Sequence, residues 1–366
     1  MTDQISKLPL EIILMILSHL PIPSLISFGT TSRANYSYHI LCMRRLHLAV
    51  LQKRIHATTT FSDRDAPDSR FWRKKEERPD DGLGHRIPIV LPHSCSRGKD
   101  GRRTPPRSAN QMIRAQNEIF AKIVSRYGRS LVDLEFLAYD LNSQGAIALG
   151  ASCGLKLRHL ALRFEHPHIC DNNSMLGRNY WLHPPPGSTA WNALIGVGVG
   201  ENNIGLSTQE SLVLERAGIT PWQLQMLVKR NPKLRELRLR TCAAVQPEFV
   251  NWLGGIEVDQ DESRKEGDSA PEASIEVLWS ENCDGISSEV DLSNIKDGNE
   301  IQDAGLEWIR DLKGLKSLSL RHCPNINPEL VERANKTVWH IPEVFLSYPP
   351  AVDRHGSPIE IDPDYI

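Results

Sequence analysis

Apolar side chains recur at helical spacing near the start of the chain. Ile12, Ile13, Ile16, Leu17 and Leu20 lie where an α-helix would bring them onto neighbouring turns. Pro9 opens this segment. In the first turn of a helix the missing N–H group of a proline costs no hydrogen bond. Two more prolines follow at positions 21 and 23. The pattern therefore predicts a helix that ends just before residue 21.

Two further helices are predicted to follow. The first is short, from Ser24 to Phe28, and the second begins at Ser32, a residue type favoured at the N-cap, and continues through apolar positions as far as Leu51. About fifty residues of helix cannot enclose so many apolar side chains by themselves. Burying each one would stabilise the fold by roughly 1.5–3 kcal/mol. These side chains therefore need a second surface, which is either a partner protein or the rest of this chain.

A different pattern begins near residue 111. The phrase Leu-x-x-Leu-x-Leu is typical of a short buried strand, and each copy is followed by signals for a turn and a helix. Full copies occur at Leu157, Leu160 and Leu162; at Leu234, Leu237 and Leu239; and at Leu315, Leu318 and Leu320. Weaker copies begin at Leu131, Gln209 and Ile275. Starts at 131 and 157 are 26 residues apart, which is a period of internal repeats that stack strand on strand.

Three cysteines hold the same place in these repeats. Cys242, Cys283 and Cys323 each stand three residues after the last strand position of their copy. A metal-binding or catalytic role is the alternative to a structural one. One cysteine per repeat is already explained by stacking, and a cysteine is small enough for a buried turn. We therefore interpret them as structural residues and expect no metal ion and no cofactor.

The N-terminal segment resembles an F-box. The resemblance rests on Leu8-Pro9-Leu10-Glu11-Ile12, on Ile16 and Leu20-Pro21, and on Leu25 and Phe28 followed by Thr31-Ser32-Arg33. F-boxes are three-helix modules that bind a Skp-type adaptor, and through it the cullin and RING subunits of SCF-type ubiquitin ligases. The resemblance implies adaptor contacts at Leu8, Pro9, Ile12, Ile16, Leu20, Leu25 and Phe28.

The repeated phrase resembles leucine-rich repeats of the cysteine-containing kind. Such repeats commonly follow an F-box, so the whole chain resembles an F-box/LRR protein of the fungal type. The implied fold class is α/β. A three-helix F-box would precede an irregular leucine-rich-repeat solenoid, with parallel strands on its concave face and helices outside.

The 366 residues are enough for two domains with linkers. We expect an F-box and its following helix over 1–58, a disordered linker over 59–110, a repeat domain over 111–336, and a capping segment with a flexible tail over 337–366. Insertions are expected near 171–203 and 255–274. Mixed charge with frequent proline and glycine argues for the linker. Its basic second half is either solvated or a nuclear-localisation patch.

Composition and charge argue against nucleic-acid and membrane partners. The net charge of −2 gives no general attraction for nucleic acid. The longest apolar stretch, Ile12 to Leu17, is far shorter than the roughly 20 residues that a membrane helix needs. No signal peptide is visible, and the cysteines do not form a disulfide pattern. We expect no nucleic-acid or membrane partner, and a cytoplasmic or nuclear location.

The two resemblances imply a receptor that is not itself an enzyme. The F-box would hold the adaptor, and the repeats would present an unknown protein substrate for ubiquitin transfer and proteasomal degradation. Other subunits would perform the transfer. The alternative is an F-box/LRR interaction or regulatory protein that acts without ubiquitin transfer.

Overall fold

The computed structural model describes residues 8–51, 84–90, 109–164, 189–197, 205–255, 275–288 and 306–348. Three helices come first: α1 (Leu10–Ser18), α2 (Ile22–Thr31) and α3 (Arg33–Cys42). Strands and helices then alternate. The strands are β1 (Arg45–Leu51), β2 (Gly84–Val90), β3 (Asp133–Ala138), β4 (His159–Phe164), β5 (Ser211–Glu215), β6 (Glu236–Arg240), β7 (Val277–Glu281), β8 (Ser317–Ser319) and β9 (Glu343–Phe345).

Helices follow most of these strands. They are α4 (Ala109–Tyr127), α5 (Ser143–Cys153), α6 (Thr189–Ile195), α7 (Pro221–Lys229), α8 (Pro247–Leu253) and α9 (Pro328–Ala334). A 3-10 turn (Glu307–Ile309) precedes β8, and a π-helical turn (Asn335–Trp339) follows α9. Proline opens α7, α8 and α9, where its missing N–H group costs no hydrogen bond.

The described strands form a single parallel sheet in the order β2-β1-β3-β4-β5-β6-β7-β8-β9. From β3 onward, each strand pairs with the next strand along the chain. The strand leucines of the repeated phrase lie side by side: Leu237 pairs with Leu278, which pairs with Leu318. The predicted alternation of parallel strands with helices is confirmed.

Alternate strand residues point toward the helices and form the core. Leu134, Leu160 and Leu212 are buried, together with helix residues such as Phe120 on α4 and Leu224 on α7. The ring of Phe120 stacks on that of Phe136 with centroids 3.9 Å apart. One apolar cluster runs from Ile13 in α1 to Ile341 before β9. The N-terminal helices and the sheet therefore share a core.

The N-terminal segment differs from the expectation at residues 45–51. A continuation of the third helix was expected there, but α3 ends at Cys42 and residues 45–51 form strand β1, which pairs with β3. Leu46 and Leu48 are buried on the core side of this strand. The sheet thus begins inside the segment 1–58, rather than at residue 111. Leu41, Leu48 and Leu51 fit a helical spacing, but the alternation of Leu46 and Leu48 fits a strand beside β3.

Residues 84–90 also differ from the expectation. They form the edge strand β2, which pairs with β1, inside the segment expected to be a disordered linker over 59–110. Proline is tolerated in an edge strand because its missing N–H group can face away from the sheet, so Pro88 does not prevent the pairing. Apart from 84–90 and the first residues of α4, the linker lies outside the described residues.

The expected insertion near 171–203 lies largely outside the described residues, but its later part forms α6. Trp191 on this helix is buried, and its ring packs edge-on against Phe164 with centroids 6.2 Å apart. The sequence pattern predicted only an insertion here, without this helix. The copies of the phrase in β4 and β5 begin at Leu157 and Gln209, about two repeat periods apart. Strand β4 nevertheless pairs directly with β5, so the additional residues supply a helix and no strand of the sheet between them. Residues 256–274 and 349–366 also lie outside the described residues.

The turns after β5, β6 and β7 share a backbone conformation. Arg216, Thr241 and Asn282 each have positive φ, close to 52°, and His322 after β8 has φ 59°. The repeat cysteines directly follow three of these residues: Thr241, Asn282 and His322. Cys242 lies with its Sγ 3.5 Å from the carbonyl oxygen of Leu214, one strand back in the sheet.

The same arrangement recurs at the other two cysteines. Cys283 Sγ lies 3.9 Å from the Leu239 oxygen, and Cys323 Sγ lies 3.1 Å from the Ser280 oxygen. Each thiol therefore donates a weak hydrogen bond to the preceding strand's carbonyl group. All three side chains are buried, and burial raises the pKa of Cys242 to about 12 and that of Cys323 to about 11. A thiol in that state is neutral and unreactive at neutral pH.

Candidate functional site

Helix α1 carries apolar side chains on two faces. Its inner face carries Ile13 and Leu17, which are 2% and 3% exposed in the core. Its outer face carries Ile12, Met15 and Ile16, which are 37%, 53% and 50% exposed. Positions three and four apart lie side by side on a helix, so these three residues form one stripe. A helix that is apolar all round requires a partner on both sides, and the residues that the structure describes cover only one of them.

The stripe extends beyond the helix itself. Leu8, just before α1, and Leu10 in its first turn are also exposed. Exposed apolar side chains stand on the next two helices as well: Ile26 on α2, and Tyr36 and Leu41 on α3. We call Leu8, Leu10, Ile12, Met15 and Ile16 the α1 stripe. Contiguous exposed apolar surface of this kind marks an interaction site.

The residues predicted to contact an adaptor divide into three groups. Leu8, Pro9, Ile12 and Ile16 are exposed. Leu20 and Phe28 are partly buried and pack against the core. Leu25 is fully buried at 0% exposure, so the structure gives it a place in the core and no accessible surface for a partner.

Sequence reasoning missed Leu10 and Met15 as candidates. Met15 stands three residues after Ile12, and that spacing alone was enough to place it on the same side of the helix. The apolar residues of α1 fall on both faces, however, and spacing cannot tell which face the rest of the chain covers.

Helix α3 is held against α4 and the segment that follows it by a hydrogen bond and a ring contact. Ser32 caps α3 as predicted, because its hydroxyl accepts a hydrogen bond from the backbone N–H of Asn35 at 3.1 Å. The hydroxyl of Ser130, after α4, lies 2.7 Å from the carbonyl oxygen of Ile40. The rings of His39 on α3 and Tyr127 on α4 pack edge to face with centroids 5.5 Å apart. The α1 stripe is therefore mounted on a packed support.

A second candidate surface is the sheet face opposite the helices, which we call the open face. Side chains alternate along a strand, so this face carries His47, Glu135, Arg163, Glu215, Arg238, Trp279, Ser319 and Phe345. Ion pairs connect the side chains of its first strands. His47 Nδ1 lies 2.6 Å from Glu135 Oε2, and Arg163 lies 3.9 Å from Glu135 and 3.3 Å from Glu215.

The later strands of the open face carry rings and guanidinium groups. The guanidinium carbon of Arg238 is 3.9 Å from the ring centroid of Trp279, and that of Arg321 is 4.9 Å from Phe345. The Trp279 indole N–H donates to the hydroxyl of Ser317 at 3.2 Å. These four side chains are partly buried, and aromatic and arginine residues are enriched at protein interfaces.

Two kinds of site receive no support in the described part of the chain. No group of three or more histidine, cysteine, aspartate or glutamate side chains there is placed to hold a metal ion. None of the helices described is both long and apolar enough to cross a membrane.

Comparison with known families identifies an F-box domain at residues 5–37. The match spans the α1 stripe, α2 and the first half of α3. F-box domains generally bind Skp-type adaptors, and F-box proteins are generally non-catalytic receptor subunits. The domain therefore implies a role as an adaptor-binding component of an SCF-type ubiquitin ligase. No curated protein matches the chain.

Proposed function

We propose that the chain is the substrate-recognition subunit of an SCF-type ubiquitin ligase. Its F-box binds the Skp-type adaptor, and the sheet with its helices binds the target protein. The adaptor connects the chain to the cullin and RING subunits, which perform ubiquitin transfer and direct the target to proteasomal degradation. The chain works in the cytoplasm, the nucleus or both.

The observation that carries the proposal is the α1 stripe inside the matched F-box. Its side chains are apolar and at least a third exposed, although Ile13 and Leu17 of the same helix are packed into the core. Covering a large apolar side chain fully stabilises by roughly 1.5–3 kcal/mol. Partly exposed side chains have already gained part of this free energy in the folded chain. Covering all five of them would still stabilise a complex with a partner strongly. A docked adaptor accounts for apolar residues at these positions.

We propose further that β1 to β9 and their helices form a leucine-rich-repeat solenoid of the fungal F-box/LRR type. Three features support this: the pairing of the phrase leucines, the recurring positive φ after the strands, and the cysteine thiols that bond to the preceding strand. In a solenoid the open face is the concave surface, where extended repeat proteins bind their partners.

The shared core gives the proposal a mechanism. Strand β1 follows directly after α3 and pairs with β3, so the adaptor-binding helices and the open face belong to one packed unit. A target on the open face would be held at a fixed distance from the adaptor. Ubiquitin transfer would then gain from proximity and effective concentration, and the chain needs no catalytic group of its own.

The test is adaptor co-purification with two aspartate variants. Ile12→Asp and Ile16→Asp each place a charge at an apolar interface, where leaving it unpaired costs several kcal/mol. We expect both to lose the adaptor. The matched control is Ile147→Asp on α5, because Ile147 is 38% exposed, like Ile12 at 37%, and lies outside the F-box. Full adaptor binding by both F-box variants would refute the proposal.

A second measurement separates a ligase receptor from a regulatory interaction protein. Proteins that bind the wild-type chain are followed in cells that carry Ile16→Asp instead. A receptor variant that has lost the adaptor still binds its target, so the target should accumulate. Unchanged levels and half-lives of every bound protein would favour a role without ubiquitin transfer.

A further inference from the structure

Helices α1, α2 and α3 carry very little negative charge. Glu11 is the one acidic residue between Leu10 and Cys42, the segment that forms these three helices. Helix α4, which packs against α3, also has a single acidic residue, Glu118, and Arg114 pairs with it at 3.2 Å. The F-box helices and the helix beside them therefore supply few carboxylates to neutralise cations on their surface.

Four basic side chains lie on this part of the chain. Lys122 and Arg126 are four residues apart on α4, so they lie on the same side of the helix. Arg129 follows in the turn after α4, and Arg33 is the first residue of α3. All four are exposed. Within the described part of the chain none of them has an ion-pair partner. We call Arg33, Lys122, Arg126 and Arg129 the basic patch.

Arg126 connects the basic patch to the F-box. Its guanidinium carbon lies 5.1 Å from the ring centroid of Tyr36 on α3 and 5.5 Å from that of Tyr127 on α4. Tyr36 is 37% exposed, lies inside the F-box match at residues 5–37, and stands one helical turn after Arg33. Arg126 is thus far from the F-box in sequence but contacts it in space. The basic patch is therefore continuous with the exposed surface of the F-box.

The two rings hold the guanidinium of Arg126 ready for a partner. A guanidinium that stacks on an aromatic ring keeps its N–H groups along its edge, where they match the geometry of a carboxylate. Because the rings already restrict this long side chain, it loses less conformational entropy when a partner binds. The position of Arg126 at the border of the F-box therefore favours an acidic partner that is bound to the F-box at the same time.

We propose that the basic patch binds an acidic segment of the Skp-type adaptor, so that the adaptor interface extends beyond the F-box onto α4. This rests on the proposed function, since it names a second contact with the same partner. The α1 stripe supplies the apolar centre of the interface, and the basic patch supplies a charged rim. Charges at a rim mainly raise the rate of association and fix the orientation of the partner.

The test measures the association and dissociation rates of the purified adaptor with the full chain. Arg126→Glu and Lys122→Glu reverse charges in the basic patch and leave the α1 stripe and the core unchanged. At low ionic strength each should lower the association rate about five- to tenfold, because the attraction becomes a repulsion. In 1 M salt, where the Debye length is about 3 Å, both should associate nearly as fast as wild type.

Two further variants separate this contact from a general effect of charge or folding. Arg126→Lys keeps the charge but loses the planar group that stacks on Tyr36, so it should associate like wild type and dissociate a few-fold faster. The matched control is Arg333→Glu on α9, an equal charge change at an exposed helix position far from the F-box. It should leave both rates unchanged. Circular dichroism of every variant checks that the chain is folded.

A photo-crosslinking amino acid in place of Arg129 identifies the partner directly. In the complex of the full chain with the adaptor and a bound cellular target, we expect a crosslink to the adaptor, at a segment rich in aspartate and glutamate. A crosslink to the target or to nucleic acid, with none to the adaptor, would overturn the proposal. Equal rates for Arg126→Glu and Arg333→Glu at low ionic strength would overturn it as well.

The proposed function is judged separately by Ile16→Asp. If Ile16→Asp loses the adaptor while Arg126→Glu and Lys122→Glu bind it like wild type, the basic-patch proposal fails and the proposed function stands. If Ile16→Asp binds the adaptor fully, the proposed function fails, and the proposal for the basic patch fails with it.

Discussion

Ile13 and Ile16 are about one turn apart in helix α1, but one side chain is buried and the other is exposed. Ile13 is 2% exposed inside the shared core, whereas Ile16 is 50% exposed in the α1 stripe. Replacing each with alanine removes the same atoms from two different surroundings. The pair therefore tests whether one face of this helix serves folding and the other serves binding.

The magnitudes follow from burial. Ile13→Ala leaves a cavity in a packed core and should lower the free energy of unfolding by about 3 kcal/mol, within the roughly 2–5 kcal/mol that is typical of such changes. Ile16→Ala removes side-chain area that is already half in water, so its effect on unfolding should stay within about 0.5 kcal/mol. For adaptor affinity, Ile16→Ala should cost at least about 1 kcal/mol, as central apolar interface residues do. The folded fraction of Ile13→Ala should bind the adaptor nearly as well as wild type.

Two measurements on the purified chain check this. Urea unfolding followed by circular dichroism gives the free energy of unfolding, and titration with the Skp-type adaptor gives the affinity. If Ile16→Ala unfolds as easily as Ile13→Ala, the outer face is covered by this chain and the two-faced description of α1 is wrong. If neither variant weakens adaptor binding, the α1 stripe is not the contact.

Two further predictions concern the repeat turns. Since burial raises the pKa of Cys242 from 9.0 to about 12, the neutral thiol is favoured in the folded state, and the contribution of this thiol to stability should be constant below pH 9 and be lost as the pH rises toward 12. Cys242→Ala should cost about 1 kcal/mol at neutral pH and reduce that alkaline loss, as pH-dependent unfolding would show; an unchanged alkaline loss would contradict this. At Gly285 a Cβ atom would collide with the carbonyl oxygen of Val245, whereas at Gly314 the nearest atom, the Ile275 oxygen, would be 3.6 Å away. Gly285→Ala should therefore lower the melting temperature by several degrees and Gly314→Ala should not, and equal melting temperatures would show that the turn can shift.

Local sequence patterns predicted the strands because most inner positions are occupied by apolar residues at fixed spacing. In β6 the predicted Leu237 and Leu239 are both buried, and in β8 Leu318 is buried. Helix starts were predictable for the same reason, since Pro247 and Pro328 mark the first turns of α8 and α9. These features depend on residues within one short segment, so spacing alone is enough to find them.

Features that depend on a distant neighbour were missed. The apolar residues of 45–51 fit both a helical and an alternating pattern. The segment forms a strand because it can pair with the edge of β3. Strand β2 in turn needs β1 as its partner. Ile12 is exposed and Ile13 is buried because the core covers only one of them. Leu25 was predicted to contact the adaptor because its burial also depends on distant residues. In each case the deciding partner is far away in the sequence.

The placement of β1 links the two candidate surfaces physically. Its core side carries Leu46 and Leu48, which belong to the apolar cluster that also holds Ile13 and Leu17 of α1. Its open side carries His47, whose ring nitrogen lies 2.6 Å from Glu135 at the beginning of the charge series. One strand therefore contacts the support of the α1 stripe on one side and the open face on the other. A substitution in β1 should disturb both surfaces together, whereas one in the α1 stripe, or at an open-face residue far from β1, should disturb only its own surface. That difference gives a direct way to separate loss of the adaptor, loss of the target and loss of the fold.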